Sequence, residues 1–281
     1  MEKSKAFDPK DMKAFEPTEK IGLLATISPE GLPHVSLITT LQAKTPTQVV
    51  WGQFTEGLSK EYVKANRKTA FLIMTLDRKL WRGKALYTHS VKEGPDYEMF
   101  NDKPMFRYNS YFGINTVHYM DLVETNGREG LPLAAIVPAA LLTMIAKSGA
   151  ASGKADPILT PWGLHLFNRI DSLKFISFVD EDGFPAIIPL LQCKAADSRR
   201  LVFSTLAYPE ELAAIRPGAR VAVFGMSLQM EDVLVRGYYD GIDRVRGIRL
   251  GLIDIEWVYN SMPPKHGQIY PPVPLEPVRE F

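Results

Sequence analysis

From Ile21 onward, apolar runs of strand length alternate with short polar breaks rich in Gly, Pro, Asn and Asp. The pattern predicts a strand over Ile21–Ser28, a turn at Pro29–Leu32 and a second strand over Pro33–Ala43, together a hairpin. In that second strand His34, Ser36, Ile38 and Thr40 share one face, because strand side chains alternate; the face is partly polar, as a ligand wall would be. A turn at Thr45–Thr47 leads to a central strand over Gln48–Phe54, and a helix follows to about Asn66. Ala70–Leu76 is apolar on both faces and reads as a strand covered on both sides. After Asp77–Lys79 come a long strand over Leu80–Val91, a helix over Pro95–Phe106 and a strand over Gly113–Glu124. Residues 1–17 read as a polar arm or short helix.

The second half repeats the first. Asn126–Gly130 marks a boundary, Pro138–Lys147 reads as a helix, Ser148–Gly153 as a small-residue linker and Pro161–Arg169 as a further helical turn or two. Strands resume at Leu173. A shift of 152 positions lays Glu30-Gly31-Leu32-Pro33 on Asp182-Gly183-Phe184-Pro185, and Val49-Val50-Trp51 on Leu201-Val202-Phe203. With small insertions Arg82-Gly83 then matches Arg236-Gly237, and Gly113-Ile114 matches Gly247-Ile248. Two copies of one β unit make up the chain.

Candidate chemistry gathers in Val49–Arg67, VVWGQFTEGLSKEYVKANR. An apolar strand runs into a loop where Gly57 eases a turn, and Ser59 has the chemistry of a helix N-cap. A helix start directs free N–H groups and the positive end of its dipole at one point, and Lys60 adds an ammonium; this is a recipe for a phosphate monoester. The second copy has Ala207-Tyr208-Pro209-Glu210-Glu211-Leu212 here, and its two carboxylates would repel phosphate.

Composition narrows the classes. The chain has 281 residues, 46% of them hydrophobic, enough for one large or two ordinary cores. Its 33 basic and 32 acidic residues give a net charge of +1, which argues against a nucleic-acid partner or an acidic-membrane footprint. The N-terminus lacks a secretory h-region. The apolar run Ala134–Ala146 is broken by Pro138, is too short to span a bilayer and reads as a buried or docked helix. The single Cys193 excludes an internal disulfide framework and fits a cytoplasmic protein. Five scattered histidines lack metal-ligand spacing, so no metal is expected, and the absence of a nucleophile elbow disfavours a hydrolase.

The hairpin with Gly31 and Pro33, the third strand ending in a loop with Ser59-Lys60, the short helix and the following strands resemble the pyridoxamine 5′-phosphate oxidase-like FMN-binding split β-barrel family. The resemblance covers Ile21–Tyr87 and, more weakly, Leu173–Tyr259. It implies a mainly β (α+β) chain of two tandem antiparallel Greek-key split β-barrels: an arm over 1–20, barrel 1 with the cradle over 21–126, a helical linker over 127–170, a degenerate barrel 2 over 171–262 and a Pro-rich tail over 263–281. It also implies FMN in a groove between paired barrels, within one chain as a pseudo-dimer or between chains as a homodimer. Trp51, Gly52, Gln53, Thr55, Ser59 and Lys60 would contact flavin and phosphate, Ser36, Leu37 and Ile38 would line the isoalloxazine edge, and Arg78 would reach the cofactor from its turn.

The departures separate this chain from the oxidase itself. Ser36 and Leu41 stand where the oxidase carries phosphate-binding basic residues. Ile255-Glu256-Trp257-Val258-Tyr259 is followed by Met262-Pro263-Pro264-Lys265-His266 rather than by the oxidase's substrate arginines. The expectation is therefore an FMN-dependent oxidoreductase acting on another small molecule, with no catalytic side chain assigned. Two other readings stand beside it: a non-catalytic split barrel holding another phosphate ligand, and a haem-handling barrel with His266 as the iron ligand. The aromatic run from Tyr97 to Tyr119 reads as a substrate wall or a satellite core, with Arg107 and, more weakly, Lys103 as candidate contacts for an anionic substrate. The proline-rich tail reads as an extended arm.

Overall fold

The computed structural model describes residues 3–106, 113–229, 231–260 and 267–273. The first half contains strands β1 (Lys20–Ile27), β2 (Pro33–Leu37), β3 (Gln42–Thr45), β4 (Gln48–Gln53), β5 (Lys68–Thr75), β6 (Lys79–Val91), β7 (Thr116–Thr125) and β8 (Glu129–Gly130), with helices α1 (Leu58–Ala65) and α2 (Pro95–Asp102). After α3 (Leu133–Ala146) and α4 (Pro161–Asn168) the second half contains β9 (Leu173–Val179), β10 (Pro185–Pro189), β11 (Lys194–Ala195), β12 (Arg200–Ser204), α5 (Pro209–Ala213), β13 (Arg220–Met226), β14 (Asp232–Val245), β15 (Ile248–Asn260) and β16 (Gly267–Tyr270).

Two eight-stranded antiparallel sheets result, and their orders correspond strand for strand: β2-β1-β5-β6-β7-β4-β3 and β10-β9-β13-β14-β15-β12-β11, with β8 on β6 and β16 on β15. The mainly β architecture of two tandem split barrels is thus the one observed. The repeat is exact at its tightest points. Gly31 and Gly183 both have positive φ, 79° and 76°, in turns closed onto Ser28 and Asp180. A Cβ on Gly83 would lie 2.0 Å from the Glu124 carbonyl oxygen, and one on Gly237 would lie 2.0 Å from that of Asp254. Only glycine lets the strands cross so closely. The copies differ between their long strands: β14 and β15 are joined by Arg246-Gly247, whereas residues 92–115 with α2 separate β6 from β7.

By contact density the chain divides into two units, residues 1–133 with 177–187, and residues 134–176 with 188–281. The first unit's core gathers Leu24, Trp51, Phe71, Ile73 and Trp81 between its sheet faces. Of the two readings of the N-terminal segment, a polar arm or a short helix, the structure has the helix, a 3-10 element over Pro9–Phe15 that belongs to this core: Phe7 and Phe15 are buried, Phe15 meets the Trp81 ring at 4.9 Å, and Asp11 accepts the Trp81 Nε1–H at 2.8 Å. Within the same unit Lys84 pairs with Asp180 and, at 2.6 Å, with Asp182.

Several elements depart from the sequence reading. The strand expected over Pro33–Ala43 breaks into β2 and β3, because a turn with the Leu41 N–H bonded to the Ile38 carbonyl intervenes. Pro138 does not bound α3 but lies inside it, forgoing one backbone bond while the helix continues. Of the two readings, buried or docked, α3 is docked, with one side on the sheet. Its buried positions are Ile136, Ala139, Thr143 and Ala146, while Val137, Leu141 and Ile145 are more than half exposed.

Candidate functional site

The cradle stretch folds as a strand, a loop and a helix, but the roles inside it differ from those read in the sequence. Gly57, not Ser59, is the N-cap of α1, and no side chain caps that end. Gly57 is extended at φ 166°, so the turn does not demand glycine. A Cβ there would lie 3.3 Å from Lys60 Nζ, so the Lys60 side chain folds back over the helix start beside Gly57. Ser59 sits two residues past this cap, in the first turn, and is buried. The Leu58 and Ser59 N–H groups fall in the first turn, where a helix supplies no acceptor.

Lys60 is half-buried, and its ammonium meets no hydrogen-bond acceptor among the described residues. Burial lowers its pKa below the ordinary lysine value, with Glu56 pulling the other way. An ammonium in that state gains from any anion brought to it. Lys64, one turn on, adds a second positive charge on the same side of the helix.

Beside the helix lies a hydroxyl and imidazole chain. Ser59 Oγ is 2.6 Å from Ser36 Oγ on β2, Ser36 Oγ is 3.2 Å from His34 Nε2, and the His34 ring meets Tyr62 edge-on at 5.4 Å. This chain ties α1 to β2, and the partly polar face of β2 expected from alternation is what makes it. A second relay fixes the end of β4. Gln53 donates to Glu56 at 2.9 Å, which orients its amide so that its oxygen accepts the His118 Nε2–H at 2.7 Å. His118 stacks on Trp51 with ring centroids 3.8 Å apart and planes 9° apart. Burial, with Lys60 and Lys64 nearby, lowers the His118 pKa to about 3, so the ring is neutral. Thr40 locks the strand from the other side, donating to the Gly52 carbonyl at 2.8 Å and accepting the Gly52 N–H at 3.0 Å.

Ser36, Gln53, Ser59 and Lys60 are therefore linked to one region through α1 and the ends of β2 and β4. Thr55 lies exposed on the loop between β4 and α1. Leu37 ends β2, and Ile38 is buried with its N–H on the Gly22 carbonyl. Trp51 is fully buried in the core, one ring face covered by His118. Arg78 is not brought to this region: it lies exposed on the β5–β6 turn, while α1 leads into the other end of β5, roughly 20–25 Å of strand away. Glu56, Tyr62 and Lys64 went unnoticed in the sequence. The spacing of Ser59 to Tyr62 and of Lys60 to Lys64, three and four residues on a helix, was the available signal.

The second copy lacks these groups. At the positions matching Ser36, Ser59 and Lys60 stand Ile188, Glu211 and Leu212, and Ile188 and Leu212 are buried. The described aromatics Phe100, Phe106 and Tyr119 pack with Val50, Ile114 and Val117 in a satellite core, Tyr97 on its flank. Lys103 lies over the Phe106 ring and donates to the Glu16 carbonyl. Arg107, Tyr108, Tyr111, Phe112, His266 and most of the proline-rich tail lie outside the described residues. Among the described residues no cluster of His, Cys, Asp and Glu has metal-site geometry.

No family profile matches the chain, and no curated protein matches it. Among solved structures it is similar to an FMN-binding protein from Syntrophomonas wolfei subsp. wolfei, at 13% identity and a TM-score of 0.33 over 37% of this chain and 74% of that one. It is also similar to HupZ of Group A Streptococcus, at 14% identity and a TM-score of 0.36 over 42% and 92% of the two chains. An F420 reductase gives 17% identity and a TM-score of 0.35 over 42% and 98%.

Proposed function

We propose that the first unit binds a phosphate-bearing flavin, FMN, with its phosphate at the start of α1. The observation that carries this reading is the Lys60 ammonium: half-buried, without an acceptor among the described residues, lowered in pKa by burial, and folded back over the helix start beside Gly57. A phosphate dianion would restore the solvation that burial removes, and the first-turn N–H groups would donate to it. The paired hydroxyls of Ser36 and Ser59 supply further donors at the same helix end. Bound FMN would contribute electron transfer by its isoalloxazine; the chain would contribute position, electrostatics and exclusion of water. The protein is then a flavin-dependent oxidoreductase with one cofactor per chain, since Ile188, Glu211 and Leu212 leave the second copy no cradle.

Fluorescence titration of FMN with the purified protein tests the reading. Saturable quenching that Lys60→Met weakens supports it, and FMN fluorescence indifferent to the protein refutes it.

A further inference from the structure

Three side chains beside the α1 start form one continuous hydrogen-bonded chain. Ser59 Oγ lies 2.6 Å from Ser36 Oγ, and Ser36 Oγ lies 3.2 Å from His34 Nε2. His34 and Ser59 are buried, whereas Ser36 is partly exposed, so the chain opens to solvent at its middle member. The imidazole is fixed in place: His34 stands opposite Thr26 in the β1–β2 register, and its ring meets the Tyr62 ring of α1 edge-on.

The protons in this chain limit what it can offer an anion. A neutral imidazole carries one N–H, on one nitrogen or the other, and a hydroxyl carries one proton and accepts up to two. If Nε2 is bare, Ser36 donates to it and Ser59 donates to Ser36. Both hydroxyl protons are then spent inside the chain, and Ser36 turns only a lone pair outward. If Nε2 bears the proton, it donates to Ser36, Ser59 still donates to Ser36, and the Ser36 proton is released outward. The same three residues repel a phosphate in the first state and donate to it in the second.

We propose that His34 is a positioning residue of the phosphate site, its Nε2–H holding the Ser36 hydroxyl proton toward the bound phosphate. This assignment rests on the reading of the α1 start as a phosphate site and adds the group that sets the direction of the hydroxyl pair. His34 is 1% exposed and bonded to Ser36, so it acts through the serine and not on the ligand. Bonds that run in one direction along such a chain strengthen one another. In the second copy the chain is missing as a whole: Ala186, Ile188, Glu211 and Ala214 stand at the positions of His34, Ser36, Ser59 and Tyr62.

Two measurements test it. Nitrogen-15 NMR of histidine-labelled protein, with the His34 signals identified by their loss in His34→Gln, reads which ring nitrogen bears a proton; with FMN bound, Nε2 should bear one. Titration of FMN and riboflavin into wild type, His34→Leu and His34→Gln reads the consequence. His34→Leu should lower the preference for FMN by roughly two- to fivefold, the cooperative share of a hydrogen bond to a charged group. His34→Gln, whose amide N–H reaches the same serine, should keep it. A histidine that merely fills space predicts the reverse order, since leucine suits a buried position better than an amide does. In a Ser36→Ala background His34→Leu should be silent. A bare Nε2 in the FMN complex, a preference undiminished in His34→Leu, or an effect of that substitution that persists without Ser36 overturns the proposal. Any of these leaves the phosphate reading standing if Lys60→Met still lowers the preference, whereas a wild-type protein that binds FMN and riboflavin alike overturns both.

Discussion

Replacing Lys60 with methionine keeps an unbranched stem over Gly57 and removes the ammonium, so it isolates the charge on which the flavin reading rests. A hydrogen bond to a charged group contributes about 1.5–3 kcal/mol, and a helix start adds about 0.3–1 kcal/mol toward an anion. Together they amount to about 2–4 kcal/mol that FMN gains and riboflavin does not. The wild-type protein should therefore prefer FMN to riboflavin by roughly 30- to 700-fold. Lys60→Met should lose FMN affinity by roughly 10- to 140-fold, with riboflavin affinity unchanged. Calorimetric titration of both ligands into both proteins measures all four constants. The ligand-free variant should be no less stable than wild type, because burial of the ammonium opposes its charged form. The wild-type protein should gain stability from this group as pH rises toward the ordinary lysine pKa, since the unfolded chain holds the proton longer. Equal affinities for FMN and riboflavin, or equal losses of both in the variant, would refute the reasoning.

Other outcomes follow from the same geometry. Gly83→Ala puts a Cβ 2.0 Å from a backbone oxygen and should cost about 3 kcal/mol or more in urea denaturation, whereas Gly130→Ala, with nothing within 4 Å and no positive φ, should be nearly neutral. His118 is held neutral in the fold down to about 3 but takes up a proton near 6.5 when unfolded, so stability should fall as pH drops from 6.5 toward 3. His118→Phe should flatten that slope in denaturation midpoints measured across the range. Lys174 is buried beside Lys194, with both ammoniums on the Arg169 carbonyl, and burial lowers it to about 7. Stability should rise between pH 7 and 10.5 as the unfolded chain gives up its proton, and Lys174→Met should reduce that rise, leaving the part due to the other buried lysines, Lys60 and Lys194, while Lys194 keeps the carbonyl bonded.

The strands and the repeat were legible in the sequence because each depends on local pattern. Gly31 with Gly183 and Gly83 with Gly237 carried the duplication, and the structure shows why: one pair needs positive φ, the other close backbone approach. The N-terminal segment was readable as a short helix but not as part of the core, because its charges dominate its composition while Phe15, at the end of a 3-10 helix over Pro9–Phe15, and Phe7, just before it, are both buried. The apolar run around α3 was readable as a buried or docked helix, and the structure has it docked; hydrophobicity alone does not say which face turns inward. In the candidate site, Ser36, Ser59 and Lys60 were readable from strand alternation and helix position. The relay of Glu56, Gln53 and His118 was not, because His118 is 65 positions from Gln53 and only the pairing of β4 with β7 brings them together. The closeness of Gly57 to the Lys60 ammonium was hidden for a similar reason: it depends on the path of another residue's side chain and not on the φ of Gly57.

The central claim is that one flavin phosphate site exists per chain, at the start of α1. The most direct measurement is the visible absorbance spectrum of the protein after incubation with excess FMN and gel filtration, with bound flavin quantified on denaturation. The account predicts one FMN per chain in the wild-type protein and its loss in Lys60→Glu with the fold retained. A colourless protein, or a flavin content equal in wild type and Lys60→Glu, would contradict it.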